Sequence, residues 1–81
     1  MRKNYIFDNS GKTVDRYTLI TKEGAIFGFS DSPFHPQGFG MFCGDMPKGA
    51  RINEYRHLGK RIDLNSLNAD CKKFVNERIQ N

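Results

Sequence analysis

The chain predicts one small α+β domain spanning residues 1–81, an antiparallel β-sheet packed by a C-terminal α-helix. Three observations carry that expectation. Residues 4–29 hold three short runs rich in β-branched and aromatic residues, separated by Asn- and Gly-containing turn signals. Leu67, Cys71, Phe74, Val75 and Ile79 recur at helical spacing near the C-terminus. A length of 81 residues leaves room for a single hydrophobic core.

The first strand is expected over Asn4 to Asp8, where Tyr5, Ile6 and Phe7 favour extended backbone. Asn9-Ser10-Gly11-Lys12 supplies a turn, because Asn and Gly tolerate the positive φ of tight hairpins. A second strand is read from Thr13 to Thr21. Its alternation places Val14, Thr18 and Ile20 on one face, with Arg16 among them, and Tyr17 and Leu19 on the other. Apolar groups on both faces suit a central strand covered on each side. Lys22-Glu23-Gly24 closes a second hairpin, and Ala25 to Phe29 forms a third strand with Ala25, Phe27 and Phe29 on one face.

Residues 30–61 form a Gly/Pro/Phe-rich insertion. All three prolines lie there, together with Phe34, Phe39, Met41, Phe42, Cys43 and Met46, so the segment is built to pack. Phe39, Phe42, Cys43 and Met46 fall at i, i+3, i+4 and i+7, which predicts a short helical turn between Pro36 and Pro47. Gly38 and Gly40 oppose it, at about 1 kcal/mol each relative to Ala. Lys60 to Asp63 adds a short edge strand to the three-stranded meander. Asn68 is the expected cap of the final helix, with Asp70 in its first turn and Arg78 near its end, both matched to the helix dipole.

Composition excludes several classes. Apolar residues make up 37% and charged residues 27%, which is ordinary for a globular domain. No apolar run approaches the roughly 20 residues needed to span a bilayer. Met1-Arg2-Lys3 has no apolar segment behind it of signal-peptide length, so the expected compartment is the cytoplasm. Cys43 and Cys71 are the only cysteines, and in that compartment both are expected as buried thiols. Seven Phe and three Tyr supply most of a core, so folding without a cofactor is expected.

The charge is concentrated. Residues 1–47 carry five basic and five acidic groups, and residues 62–81 carry three of each. The whole net charge of +4 therefore lies in residues 48–61, as Lys48, Arg51, Arg56, Lys60 and Arg61 against Glu54. His57 adds to it below a pKa near 6.5. Such a segment is the footprint expected for phosphate or for an acidic protein surface.

Catalytic and metal chemistry find little support. His35, Cys43, His57 and Cys71 equal a zinc site in number, but none forms the close pair that zinc sites use. A Cys-His nucleophile built on Cys43 with His35 or His57 lacks a neighbour to lower the thiol pKa. Gly38-Phe39-Gly40 is not followed by the Lys-Ser or Lys-Thr of a phosphate loop. Phe27 and Phe29 on a sheet face offer base stacking beside the basic segment, which keeps a small DNA- or RNA-binding module as the alternative reading. The leading expectation is non-enzymatic protein binding through Lys48, Arg51, Tyr55, Arg56, His57, Lys60 and Arg61, with an acidic or nucleic-acid-mimicking site on a nucleic-acid enzyme as a suited partner surface. Arg and Tyr are the types that dominate binding energy at interfaces.

Asp15-Arg16-Tyr17-Thr18, Gly38-Phe39 through Cys43-Gly44, and Gly59-Lys60-Arg61-Ile62 with the amphipathic end resemble small uncharacterised proteins of phages and mobile elements. The resemblance covers residues 13 to 79. It implies an accessory factor that binds and redirects or blocks host machinery, a category that includes anti-CRISPR proteins, and it carries over no catalytic residue.

Overall fold

The computed structural model describes residues 3–79. Its elements in chain order are β1 (Tyr5–Asp8), β2 (Tyr17–Ile20), β3 (Ala25–Phe29), β4 (Gly40–Asp45), a 3-10 helix (Ile52–Leu58), β5 (Lys60–Ile62), a 3-10 turn (Leu64–Ser66) and α1 (Ala69–Ile79). The strands form one five-stranded sheet in the order β4-β3-β2-β1-β5, with every neighbouring pair antiparallel. The α+β architecture, the meander, the edge strand and the C-terminal helix all follow the sequence expectation.

β2 is central and buried along its full length. Register sets its two faces. Leu19 lies between Ile6 and Phe27 across the sheet, and Tyr17 lies between Asp8 and Phe29. That face meets α1, where Ile6, Tyr17, Leu19 and Phe29 join Leu67, Cys71, Phe74 and Val75 in one core. Each such side chain withdrawn from water contributes about 1.5–3 kcal/mol. Phe7 and Thr18 pair on the opposite face, and with Ile20 they too are buried.

The helix starts where Asn68 caps it, its Oδ1 accepting from the Cys71 N–H at 2.9 Å. The Asn68 side-chain amide also donates to the Asp31 carbonyl at 2.8 Å, tying the helix entry to the chain leaving β3. Phe74 sits centrally in the core. Its ring centroid is 4.7 Å from that of Phe29 and rests on Gly40, where a Cβ would come within 2.5 Å of Phe74 Cε2.

Three expectations are corrected. The second strand starts at Tyr17 rather than Thr13. Asn9 organises the preceding loop, its Oδ1 accepting from Gly11 and Lys12 N–H and its Nδ2 donating to Thr13 Oγ1 and the Asp15 carbonyl. Those side-chain bonds replace a β-ladder. Val14, expected on a strand face, is 73% exposed.

The insertion's helical turn lies at Ile52–Leu58, as a 3-10 helix, and the residues between Pro36 and Pro47 expected to form it hold β4 instead. β3 presents an unpaired edge, and backbone pairing to it outweighs a helical spacing weakened by Gly38, Gly40 and Gly44. The Ser30 N–H donates to the Phe39 carbonyl at one end of this pairing, and the Met46 N–H donates to the Gly24 carbonyl at the other. Cys43 is the extra residue of a β-bulge, because Phe42 pairs Phe27 and Gly44 pairs Ile26. Phe39, Phe42, Cys43 and Met46 therefore share no helical face. Cys43 is exposed rather than a buried thiol, and Phe42 is 52% exposed. Among the described residues no helix is long and apolar enough to cross a membrane.

Replacing Gly40 with Ala is expected to lower stability by about 1–3 kcal/mol, because the new methyl must displace the Phe74 ring from a filled core. Urea unfolding followed by circular dichroism measures it. An unchanged midpoint would show that the ring has room to move.

Candidate basic interface

Within the segment 48–61 the 3-10 helix lies over the sheet face opposite α1, whereas Lys60, paired across from Asp8, falls on the α1 face with Ile6 and Ile62. The segment's entry is a turn in which the Ala50 N–H donates to the Pro47 carbonyl, followed by a second in which the Glu54 N–H donates to Arg51. The 3-10 helix has three residues per turn, so Ile52, Tyr55 and Leu58 fall on one side. Those three are half-buried, whereas Asn53, Glu54, Arg56 and His57 are exposed. Tyr55 departs from helical geometry at φ −105° and ψ 17°, which divides the segment into two short turns.

Gly59 then reverses the chain. Its φ of 117° lies in the region that glycine favours, and a Cβ there would overlap the Asp8 carbonyl. The Gly59 N–H donates to Arg56 at 3.1 Å, and β5 pairs with β1 directly afterwards. This turn brings Arg56 and Arg61 to one cleft of about 260 Å³, lined also by Phe7, Ile52, Asn53 and Gly59. The Arg61 guanidinium stands 4.5 Å from the Tyr5 ring centroid, a cation–π contact that holds its side chain on the sheet.

The other expected residues spread along the segment. Lys48 lies with Glu23, Gly24 and Met46 beside the β2–β3 turn. His57 and Leu58 lie with Asn9, Lys12 and Asp15 beside the β1–β2 loop, at the opposite end of β2. Tyr55 and His57 are neighbours with ring centroids 6.0 Å apart. Lys60 pairs across from Asp8, and Arg51 is exposed before the 3-10 helix. Sequence reading omitted Tyr5, Phe7, Ile52 and Asn53, which hold or line the cleft. The spacing of Ile52, Tyr55 and Leu58 was the available signal.

Among the described residues, ion pairs engage Arg16 and Arg78, while Lys3, Lys12, Lys22, Lys72 and Lys73 have none, as in the basic segment. Arg16 Nε is 3.1 Å from Asp8 Oδ1, and Arg16 Nη1 is 3.7 Å from Asp31 Oδ2. Arg78 pairs with Glu77 and stacks 3.5 Å from the Phe74 ring centroid. Among the described residues, none of Lys48, Arg51, Arg56, Lys60 and Arg61 has a carboxylate within ion-pair distance.

The base-stacking platform does not form. Phe29 is fully buried under α1, and Phe27 lies against Phe42 and the Arg78 guanidinium. Cys71 is equally enclosed, its thiol donating to the Ser30 and Asp31 carbonyls, and burial pushes its pKa up to about 11. Such a thiol is protonated near neutrality and is not a nucleophile. Among the described residues, no three His, Cys, Asp or Glu side chains converge where a metal ion could be held. No protein-family model matches the chain, and no curated protein or solved structure matches it.

Two measurements follow from these environments. Ellman's reagent is expected to titrate Cys43 in the folded protein and Cys71 only after unfolding, with Cys43→Ser abolishing the fast phase. Reaction of both thiols at one rate would contradict the enclosure of Cys71. The second concerns Asp8, whose hydrogen bond from Arg16 holds its carboxyl below the usual carboxylate range, against the opposing effect of partial burial. Its stabilisation is fully present above the unfolded aspartate pKa, about 3.9, and is lost as pH falls through the lowered folded value. The stability advantage of wild type over Asp8→Asn should thus hold steady from pH 7 to 5 and shrink below about pH 4. A gap independent of pH would remove the ion pair as its cause.

Proposed function

We propose that this chain is a non-enzymatic protein that binds stoichiometrically to an acidic surface of a protein partner through residues 48–61. The observation that supports this reading is the gathering of the whole net charge of +4 in residues 48–61, where none of the five cations has an ion-pair partner among the described residues. Cations already neutralised by neighbours add little to an interface. Unpaired cations on a fixed backbone speed encounter with an opposite charge and set its orientation. Lys48, Arg51, Arg56, His57, Lys60 and Arg61 provide the charge, and Tyr55 a half-buried aromatic edge. A protein surface is favoured over nucleic acid because Phe27 and Phe29 face the helix and leave no stacking platform beside the cations. An accessory factor that occupies a host protein, the category the sequence resembles, works in this manner.

The test compares wild type with a variant carrying Gln at Lys48, Arg51, Arg56, Lys60 and Arg61, its fold checked by circular dichroism. Wild type should capture a protein partner at physiological salt, and the variant should lose that capture. Labelled single- and double-stranded nucleic acids are titrated in parallel at several salt concentrations. Tight binding whose logarithm falls by about 0.9 per phosphate contact with log salt, and which the variant loses, would replace this reading with a nucleic-acid module.

A further inference from the structure

We infer that the cleft between the 3-10 helix and strands β1 and β5 receives one glutamate side chain of the protein partner, its carboxylate held between Arg56 and Arg61. This rests on the docking reading above and narrows it to one pocket. Size comes first. A cleft of about 260 Å³ is smaller than the roughly 300–1,000 Å³ of sites that enclose a small-molecule ligand, and it suits a single side chain.

Its lining is divided in chemistry. Phe7 and Ile52 offer apolar surface, while Arg56, Arg61 and the Asn53 amide offer donors. Among the described residues no carboxylate lines it, and none pairs with Arg56 or Arg61. A glutamate matches both halves, with two methylenes for the apolar wall and a planar carboxylate for paired N–H donors. Inorganic phosphate matches only the second half.

The pocket is also set before binding. Arg61 is stacked on Tyr5, and the Gly59 turn fixes the path of the chain between the two arginines. Arg61, already held on the sheet, loses less side-chain freedom when a carboxylate enters.

The probe is a blocked five-residue peptide with a central glutamate among Gly and Ser, titrated into isotope-labelled full-length protein and followed at the arginine Nε–H resonances. Saturable movement of Arg56 and Arg61 is expected, with Arg51 nearly still. The glutamine twin of the peptide should leave all three unmoved. Arg56→Gln is an exposed change that the fold tolerates, and it should weaken binding by about fivefold or more, whereas Arg51→Gln should not.

Equal response to the glutamine twin, or inorganic phosphate binding as tightly as the glutamate peptide, would overturn the assignment. Arg51 responding as strongly as Arg56 would remove the cleft and leave charge-wide docking in place. Silence of Arg56 and Arg61 would also remove the cleft, while the docking reading stands or falls separately on capture of a partner by the wild-type chain.

Discussion

Everything in this molecule is arranged around one ring. Phe74 reaches from α1 to Phe29 on the sheet, and Gly40 on β4 leaves the space its edge occupies. The Arg78 guanidinium stacks on the ring and donates to the Phe74 carbonyl, so the last turn of the helix closes over it. Helix, central strands and the β4 edge are thus joined by one aromatic contact. Because the core is packed near crystal density, the position of α1 is set by what lies beneath this side chain. In turn, Asn68 and Cys71 bond the chain leaving β3 only because α1 is seated there.

With one sheet face committed to α1, the other has to be covered by something else. The 3-10 helix at Ile52–Leu58 does this with few residues, placing Ile52 beside Phe7 and Leu58 beside Thr18 while Asn53, Glu54, Arg56 and His57 stay in water. Cationic residues fill much of that outward side. The same geometry that completes the fold therefore displays the charge, and the Gly59 reversal brings Arg56 and Arg61 to line one cleft.

Much of this was legible in the amino-acid order. Strand β3 and the Asn68 cap were read at their observed positions, because turn glycines and capping residues act through local backbone geometry. Burial of both faces of β2 was readable from its alternation. What failed was decided by distant contacts. Residues 40–45 carry a helical spacing by coincidence, and the open edge of β3 made them a strand. Cys43 was drawn into the expected core by that same spacing, and the bulge left it in solvent. The basic segment was visible as a charge sum, but its cleft was not. Arg56 and Arg61 come to line one cleft through a chain reversal at Gly59 whose tight fit against Asp8 only the folded sheet reveals.

The pairing of β5 with β1 has a consequence for the order of assembly. Strands β1, β2 and β3 follow one another through short connections, so their ladders arise from contacts close in sequence. Lys60 meets Asp8 only after β2, β3, β4 and the 3-10 helix have been threaded between them. That closure pays the largest loop entropy in the sheet for a strand of three residues. A chain with its meander formed and β5 still loose already carries all of its positive charge, but the walls around Arg56 and Arg61 do not yet exist. Charge precedes shape in this chain: the cations are present at every stage, and the cleft exists only once β5 has paired with β1.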